Sequence, residues 1–340
     1  MRVVRSVVWA TLTSIVLVGG CSERATPPDA IDASPGVDAN AGDAPYDNMC
    51  AWVRLETVRK IPNVIVIIDR SGSMNLEFDG GRNRWVALRD ALIAEPGGLV
   101  ATLASDVRFG LVMYSDDPEF GSCPDLSVTP ATIDALPAFV SAYMLNSPGG
   151  NTPTGDTILE TVARIADLAP MREDPTAILL ATDGEPGSCA DSSDVTAGRA
   201  LSVEAVTQAF AMGIHTYALS VGTEVGTAHL QDVANAGVGH VTGEPDAPYW
   251  VATDISGLDS ALWSIVTNVL SCEIELSGGM IDTALACHGT VTLGSDTLEC
   301  GTDWRPVDSM HIELLGDACE RLKHMGEPLT ASFPCDVILI

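Results

Sequence analysis

The feature that most constrains this 340-residue chain is Val64-Ile65-Val66-Ile67-Ile68, an unbroken β-branched apolar run with no polar alternation. Such a run suits a strand buried on both faces, as in a parallel sheet sandwiched between helices. Strand-like and helix-like segments then alternate. Residues 85–94 have helical spacing, with Trp85, Leu88 and Leu92 on one side. Residues 107–114 read as strand, and 156–168 as an amphipathic helix with Ile158, Val162 and Ile165 on one stripe. Strands at 177–181 and 214–221 and helices at 201–212, 228–235 and 255–270 complete the series. The alternation predicts an α/β fold, a doubly wound and mostly parallel sheet with helices on both faces. Ligands of such sheets bind beyond the carboxyl ends of the strands.

Three loops fall at those ends. The buried run passes directly into Asp69-Arg70-Ser71-Gly72-Ser73; Gly149-Gly150-Asn151-Thr152-Pro153-Thr154-Gly155 precedes a helix; and Ala181-Thr182-Asp183-Gly184 closes a later strand. Asp-x-Ser-x-Ser after a buried strand, then a threonine loop, then a second aspartate, in this order, resembles the von Willebrand factor type A domain and its metal-ion-dependent adhesion site. The resemblance covers about residues 60–270. It implies that Asp69, Ser71, Ser73, Thr152 and Asp183 hold one divalent cation, with Thr152 rather than Thr154 as the threonine ligand. The residue chemistry agrees. Hydroxyl and carboxylate oxygens suit a hard ion such as Mg²⁺, with Mn²⁺ or Ca²⁺ as alternatives, and a set without His or Cys argues against zinc. With neutral hydroxyls among its ligands, the ion keeps enough positive charge to accept a carboxylate from a protein partner, as members of the family do. Asp79, Asp116 and Asp117 lie on loops at the same end and read as solvated loop charge.

The N-terminus reads as an address. Arg2 and Arg5 precede an uncharged apolar run from Val7 to Val18, then Gly19, Gly20 and Cys21. This is the pattern of an export signal, too short for a comfortable membrane span of about 20 residues. Val18-Gly19-Gly20-Cys21 also resembles the lipobox of bacterial lipoproteins, which implies a signal peptide at 1–20 and a lipid on Cys21. Residues 21–49 then form a tether rich in Asp, Ala and Pro, with little to bury. The expected location is the bacterial cell envelope, exported and lipid-anchored. Ser22 after the cysteine, where an Asp would resemble an inner-membrane retention signal, leans towards the outer membrane.

Lipidation of Cys21 leaves eight of the nine cysteines, an even set that suggests disulfides in an oxidising compartment. Cys123 and Cys189 both follow strands at the metal face, which predicts Cys123–Cys189. Cys50 precedes and Cys272 follows the type A region, which predicts Cys50–Cys272, with Cys287–Cys300 and Cys319–Cys335 beyond it. We therefore divide the folded part into a type A domain at 50–271 and a small Cys-rich β domain at 272–340, with no long helical period in the latter.

Composition excludes one class of partner. With 17 Lys+Arg against 46 Asp+Glu and a formal charge of −29, the chain lacks the basic surface that nucleic acid requires. The sequence holds no H-E-x-x-H, G-x-S-x-G or P-loop, and the six His are scattered. The expectation is a non-enzymatic binding protein that engages a protein ligand through the cation. A structural envelope protein with a purely stabilising ion and a metal-assisted hydrolase stand as alternatives.

Overall fold

Asn63–Asp69 is buried along its whole length and is paired in parallel on both sides, with Arg108–Asp117 and with Thr176–Thr182. The computed structural model describes residues 52–117, 121–169, 174–325 and 327–339. The expected signal peptide at 1–20, the expected lipidation site Cys21, the expected tether and Cys50 lie outside the described residues. The chain folds as an α/β protein around this strand, in a six-stranded sheet whose spatial order is Ser122–Thr132, Arg108–Asp117, Asn63–Asp69, Thr176–Thr182, His215–Val221, Trp250–Ala252. All neighbours run parallel except Ser122–Thr132, an antiparallel edge. From the central strand the chain first builds outward to one side, then returns to build the other. The reversal falls between Asn63–Asp69 and Thr176–Thr182, where such sheets open a crevice.

Alternate residues of the central strand feed two cores. Val64, Val66 and Ile68 pack with Leu88 and Leu92 of the helix Arg84–Ile93 and with Leu258, Leu262 and Ile265 of Ile255–Val269. Ile65 and Ile67 pack on the other face with Ile158 and Val162 of Thr154–Ala163, Val206 of Val195–Ala211, and Leu230 and Val233 of Thr227–Gly237. The helix expected over 156–168 breaks at Arg164 into Thr154–Ala163 and Ile165–Leu168. Two elements of this unit carry no clear sequence signal. Ser122–Thr132 contains Pro124 and Pro130, which only an edge strand tolerates. Leu136–Leu145 is a helix with Pro in its first turn.

The second unit departs from the sequence reading. It is a seven-stranded antiparallel sheet whose fourth strand in spatial order is Val53–Arg59, a segment assigned above to the type A domain. That strand pairs with Glu273–Ser277 on one side and Leu329–Phe333 on the other. The type A region is thus inserted between two neighbouring strands of the second sheet. Val53–Arg59 buries Leu55 and little else, so its alternation is faint in the sequence.

Alternation is clearer in Glu273–Ser277, Thr290–Leu293 and His311–Leu314, each burying every second residue. Their inward residues join Trp304, Phe333 and Val337 in a third core. A helix not expected from the sequence, Gly316–Met325, adds Ala318 and Leu322 to it.

Two of the predicted disulfides form, Cys123–Cys189 and Cys287–Cys300. Two do not: Cys272 is bonded to Cys319, which excludes both Cys50–Cys272 and Cys319–Cys335. Glu273 stands opposite Glu313, and the Leu314 N–H donates to the Cys272 carbonyl. The helix that starts at Gly316 then sets Cys319 beside Cys272, 5.4 Å apart at Cα. Cys335 is disulfide-bonded as well.

Candidate metal centre

Asp69 is the last residue of the central strand, and Asp183 directly follows its parallel neighbour Thr176–Thr182. The sheet alone therefore brings two carboxylates to one point, and both are fully buried. The Asp69 carboxylate accepts the Ser71 N–H at Oδ1 (2.7 Å) and the Thr182 hydroxyl at Oδ2 (2.8 Å). The first of these bonds curls the chain after the strand into the short 3₁₀ turn Gly72–Asn75, anchored by buried Met74. Ser71 and Ser73 are brought to the same side by that turn, their Oγ atoms 2.9 Å apart. The Ser73 hydroxyl donates to Asp183 Oδ1 at 2.7 Å.

Backbone hydrogen bonds hold the threonine loop against this turn. Gly72 N–H donates to the Gly150 carbonyl, and Gly149 N–H to the Arg70 carbonyl. Asp116 fixes the loop from below, its carboxylate accepting both the backbone N–H of Asn151 (2.6 Å) and its side-chain amide (2.7 Å). Asp116 is thus a positioning residue rather than the solvated loop charge expected for it. Gly150 has φ +76°, and a Cβ there would fall 2.3 Å from the Asp116 carbonyl oxygen, so only glycine fits this approach. Thr152 is buried at the loop's tip. Thr154 points elsewhere, its hydroxyl 2.9 Å from that of buried Tyr114. A point one bond length off the Cα of Gly184 lies 3.4 Å from Ser73 Oγ and 3.6 Å from Thr152 Oγ1, so the first, second and third loops converge there. The five residues expected from the sequence come together, and Thr154 stands apart.

Arg84 is a member of the site that the sequence did not signal. It opens the helix Arg84–Ile93, capped by Asn83, and only 4% of it is exposed. Its guanidinium bonds Asp183 Oδ2 at 2.7 Å and Glu224 at 2.6 Å. Periodicity could not reveal it, because its partners lie far along the chain. Thr182, which bonds Asp69, was likewise read only as part of a strand end.

The electrostatics follow from burial. Desolvation, reinforced by the nearby Asp183 charge, pushes the Asp69 carboxyl up to about 7 against the pull of its hydrogen bonds. Burial also raises Asp183, offset in part by the Arg84 and Ser73 hydrogen bonds. Two carboxylates are therefore held close together in a dry place, and three hydroxyls face the same point. An all-oxygen donor set with two carboxylates fits a hard divalent cation, which would relieve the carboxylates' mutual repulsion. Among the described residues no group of three or more His, Cys, Asp or Glu is placed to hold a metal ion.

A sequence model of the von Willebrand factor type A domain matches residues 63–250, a span that begins with the central strand and contains all three loops. No curated protein matches the chain. Among solved structures, it is similar to the PilB minor pilin from Streptococcus sanguinis, at 16% identity and a TM-score of 0.48, with 62% of each chain covered. It is also similar to the manganese-loaded TRAP protein of Plasmodium vivax, at 12% identity and a TM-score of 0.46, covering 78% of this chain and 98% of that one. A third likeness is to proximal thread matrix protein 1 from the mussel byssus with a zinc-occupied MIDAS motif, at 15% identity and a TM-score of 0.39, covering 62% and 47%. The alignment thus spans less than two thirds of the pilin and less than half of the byssus protein. The match over residues 63–250, which is more than half of the chain, shows that this protein belongs to the von Willebrand factor type A domain family.

Proposed function

We propose that this chain is a non-enzymatic binding protein that engages a carboxylate on a protein partner through a divalent cation. The observation that carries the reading is the convergence of Asp69, Ser71, Ser73, Thr152 and Asp183 at the carboxyl ends of the central strands. These residues would hold the ion, and Mg²⁺ is the best match to their chemistry, with Mn²⁺ or Ca²⁺ as alternatives. When bound, the ion supplies an electropositive centre able to take one more oxygen ligand from outside. Asp69 would provide charge, and the hydroxyls neutral oxygens that leave the ion part of its own. Thr182, Asp116 and Asn151 hold these groups in place. On a chain with a formal charge of −29, a local positive centre is what permits an acidic group to approach.

A protein ligand, rather than a small anion, is favoured by the rim of the site. Met144 and Leu145, at the end of the helix Leu136–Leu145, are 80% and 85% exposed, and Leu76 is 51% exposed. The Asn75 amide bonds the Pro148 carbonyl, which sets these two segments side by side at the metal face. Exposed apolar groups beside a charged centre fit a macromolecular contact. In the same reading the protein is exported and held in the bacterial envelope by a lipid on Cys21, which mass spectrometry of its N-terminal peptide would detect.

The test is thermal unfolding in EDTA and then in Mg²⁺, Mn²⁺ or Ca²⁺, with Asp69→Ala as control. A rise in Tm with cation that is lost in Asp69→Ala is the expected result. No rise at millimolar cation would overturn the reading and leave a scaffold protein.

A further inference from the structure

We infer that Arg84 is an internal counter-ion that lowers the site's grip on a cation, and that Glu224 moderates it. The inference rests on the metal-binding reading above and adds the determinant of affinity. Arg84 is buried and sits between two carboxylates, one at the centre of the site and the other, on Glu224, half exposed. Asp183 has one oxygen committed to Arg84 and the other to the Ser73 hydroxyl. An incoming cation therefore meets an Asp183 whose charge is already balanced, with Asp69 as the uncompensated carboxylate.

The arrangement is built rather than incidental. Gly222 has φ +112°, and a Cβ there would lie 2.6 Å from Glu224 Oε2 and 3.0 Å from Arg84 Cζ, so the backbone is cleared for this ion pair. A fixed positive charge next to an Asp183 oxygen repels a divalent ion strongly in a buried site. The same charge lets the site keep its shape before any ion arrives, since Asp183 is never without a partner. Arg84 thus acts through Asp183 as a positioning residue, giving up cation affinity for order in the empty site.

Calorimetric titration of the whole chain with Mn²⁺ alone tests this, paired with Tm in EDTA. Arg84→Met keeps the bulk of the side chain and removes its charge. It should bind Mn²⁺ about tenfold tighter or more, from the Coulomb term, and melt earlier than wild type in EDTA. Glu224→Gln leaves Arg84 acting wholly on Asp183 and should weaken Mn²⁺ binding by about two- to fivefold, the smaller effect of a half-exposed charge. Arg84→Lys retains the charge but not the fork that bonds both carboxylates, so it should bind Mn²⁺ more weakly than Arg84→Met. Simple structural damage would weaken binding in every variant, so the opposite signs are diagnostic. Unchanged or weaker binding in Arg84→Met, or tighter binding in Glu224→Gln, would overturn the inference while leaving the metal-binding reading intact. If Arg84→Met does not fold, the sign of Glu224→Gln decides. Absence of Mn²⁺ binding in wild type would overturn both.

Discussion

In the parallel sheet, Asn63–Asp69 sends Val64, Val66 and Ile68 into one core and Ile65 and Ile67 into another. In the antiparallel sheet, Glu273–Ser277 buries only Ile274 and Leu276 and leaves Glu273 and Glu275 towards solvent. A strand with two dry faces can place polar side chains only at its ends, so the chemistry of the first unit gathers beyond the strand termini as Asp69 and Asp183. A strand with one wet face spreads its polar groups along its length and concentrates none of them. The two units also differ in what holds them. The first rests on two apolar cores, and its disulfide, Cys123–Cys189, ties the edge strand Ser122–Thr132 to the loop that follows Asp183. The second has one core and carries Cys272–Cys319 and Cys287–Cys300 within it, as a small unit must when burial alone is insufficient.

That contrast can be broken experimentally. The largest effect should come from Cys272→Ser with Cys319→Ser. Opening a loop of 47 residues should cost about 4 kcal/mol on the chain-entropy account. The loss should appear as earlier hydrogen exchange in 273–333, with the cation response of the first unit unchanged. Next, Asp69→Ala should remove a cation stabilisation of about 2.7 kcal/mol at a hundred times Kd, read from Tm, while exchange in the second sheet stays as in wild type.

Asp69 also predicts a pH dependence. Its carboxyl is raised from 3.8 to about 7 in the fold, so the native state holds a proton that the unfolded chain has released. That contribution to stability is complete below pH 3.8 and is lost as pH rises towards and through 7. In EDTA, Tm should carry a falling component across this window that Asp69→Asn flattens, and saturating cation at pH 8 should restore stability. The smallest effect on the fold should come from Met144→Ser with Leu145→Ser. Both side chains are exposed, so stability should shift by no more than about 0.5 kcal/mol, and Mn²⁺ titration should match wild type. Loss of partner binding in this variant, with the cation site intact, would separate the apolar rim from the ion.

The parts of the molecule that were legible in the sequence share a local signal. The run Val64–Ile68 declares burial on both faces, and Asp69, Ser71 and Ser73 follow it without a gap. Thr152 and Asp183 sit at equally marked boundaries between elements. Arg84 was not legible because its partners, Asp183 and Glu224, are brought near only by the sheet. Val53–Arg59 escaped for a related reason: its place in the second sheet depends on strands more than 200 residues later and its own alternation buries only Leu55. The disulfides divide in the same way. Cys287–Cys300 closes a short loop and was anticipated, whereas Cys272–Cys319 depends on the unforeseen helix Gly316–Met325.

The insertion of the type A unit between Val53–Arg59 and Glu273–Ser277 has a mechanical consequence. These strands are antiparallel neighbours, with Arg59 opposite Ile274, so the two chain connections to the inserted unit leave the sheet side by side. Tension drawn from the metal face would divide between two covalent paths and enter the middle of a seven-stranded sheet. Where the rest of the sheet, rather than the chain before Val53, bears that load, both strands would be dragged lengthwise against Leu329–Phe333 on one flank and His311–Leu314 on the other. Hydrogen bonds loaded in shear must yield together, whereas an edge strand would be peeled away one bond at a time. The topology therefore sets the two connections where the sheet resists such a load best.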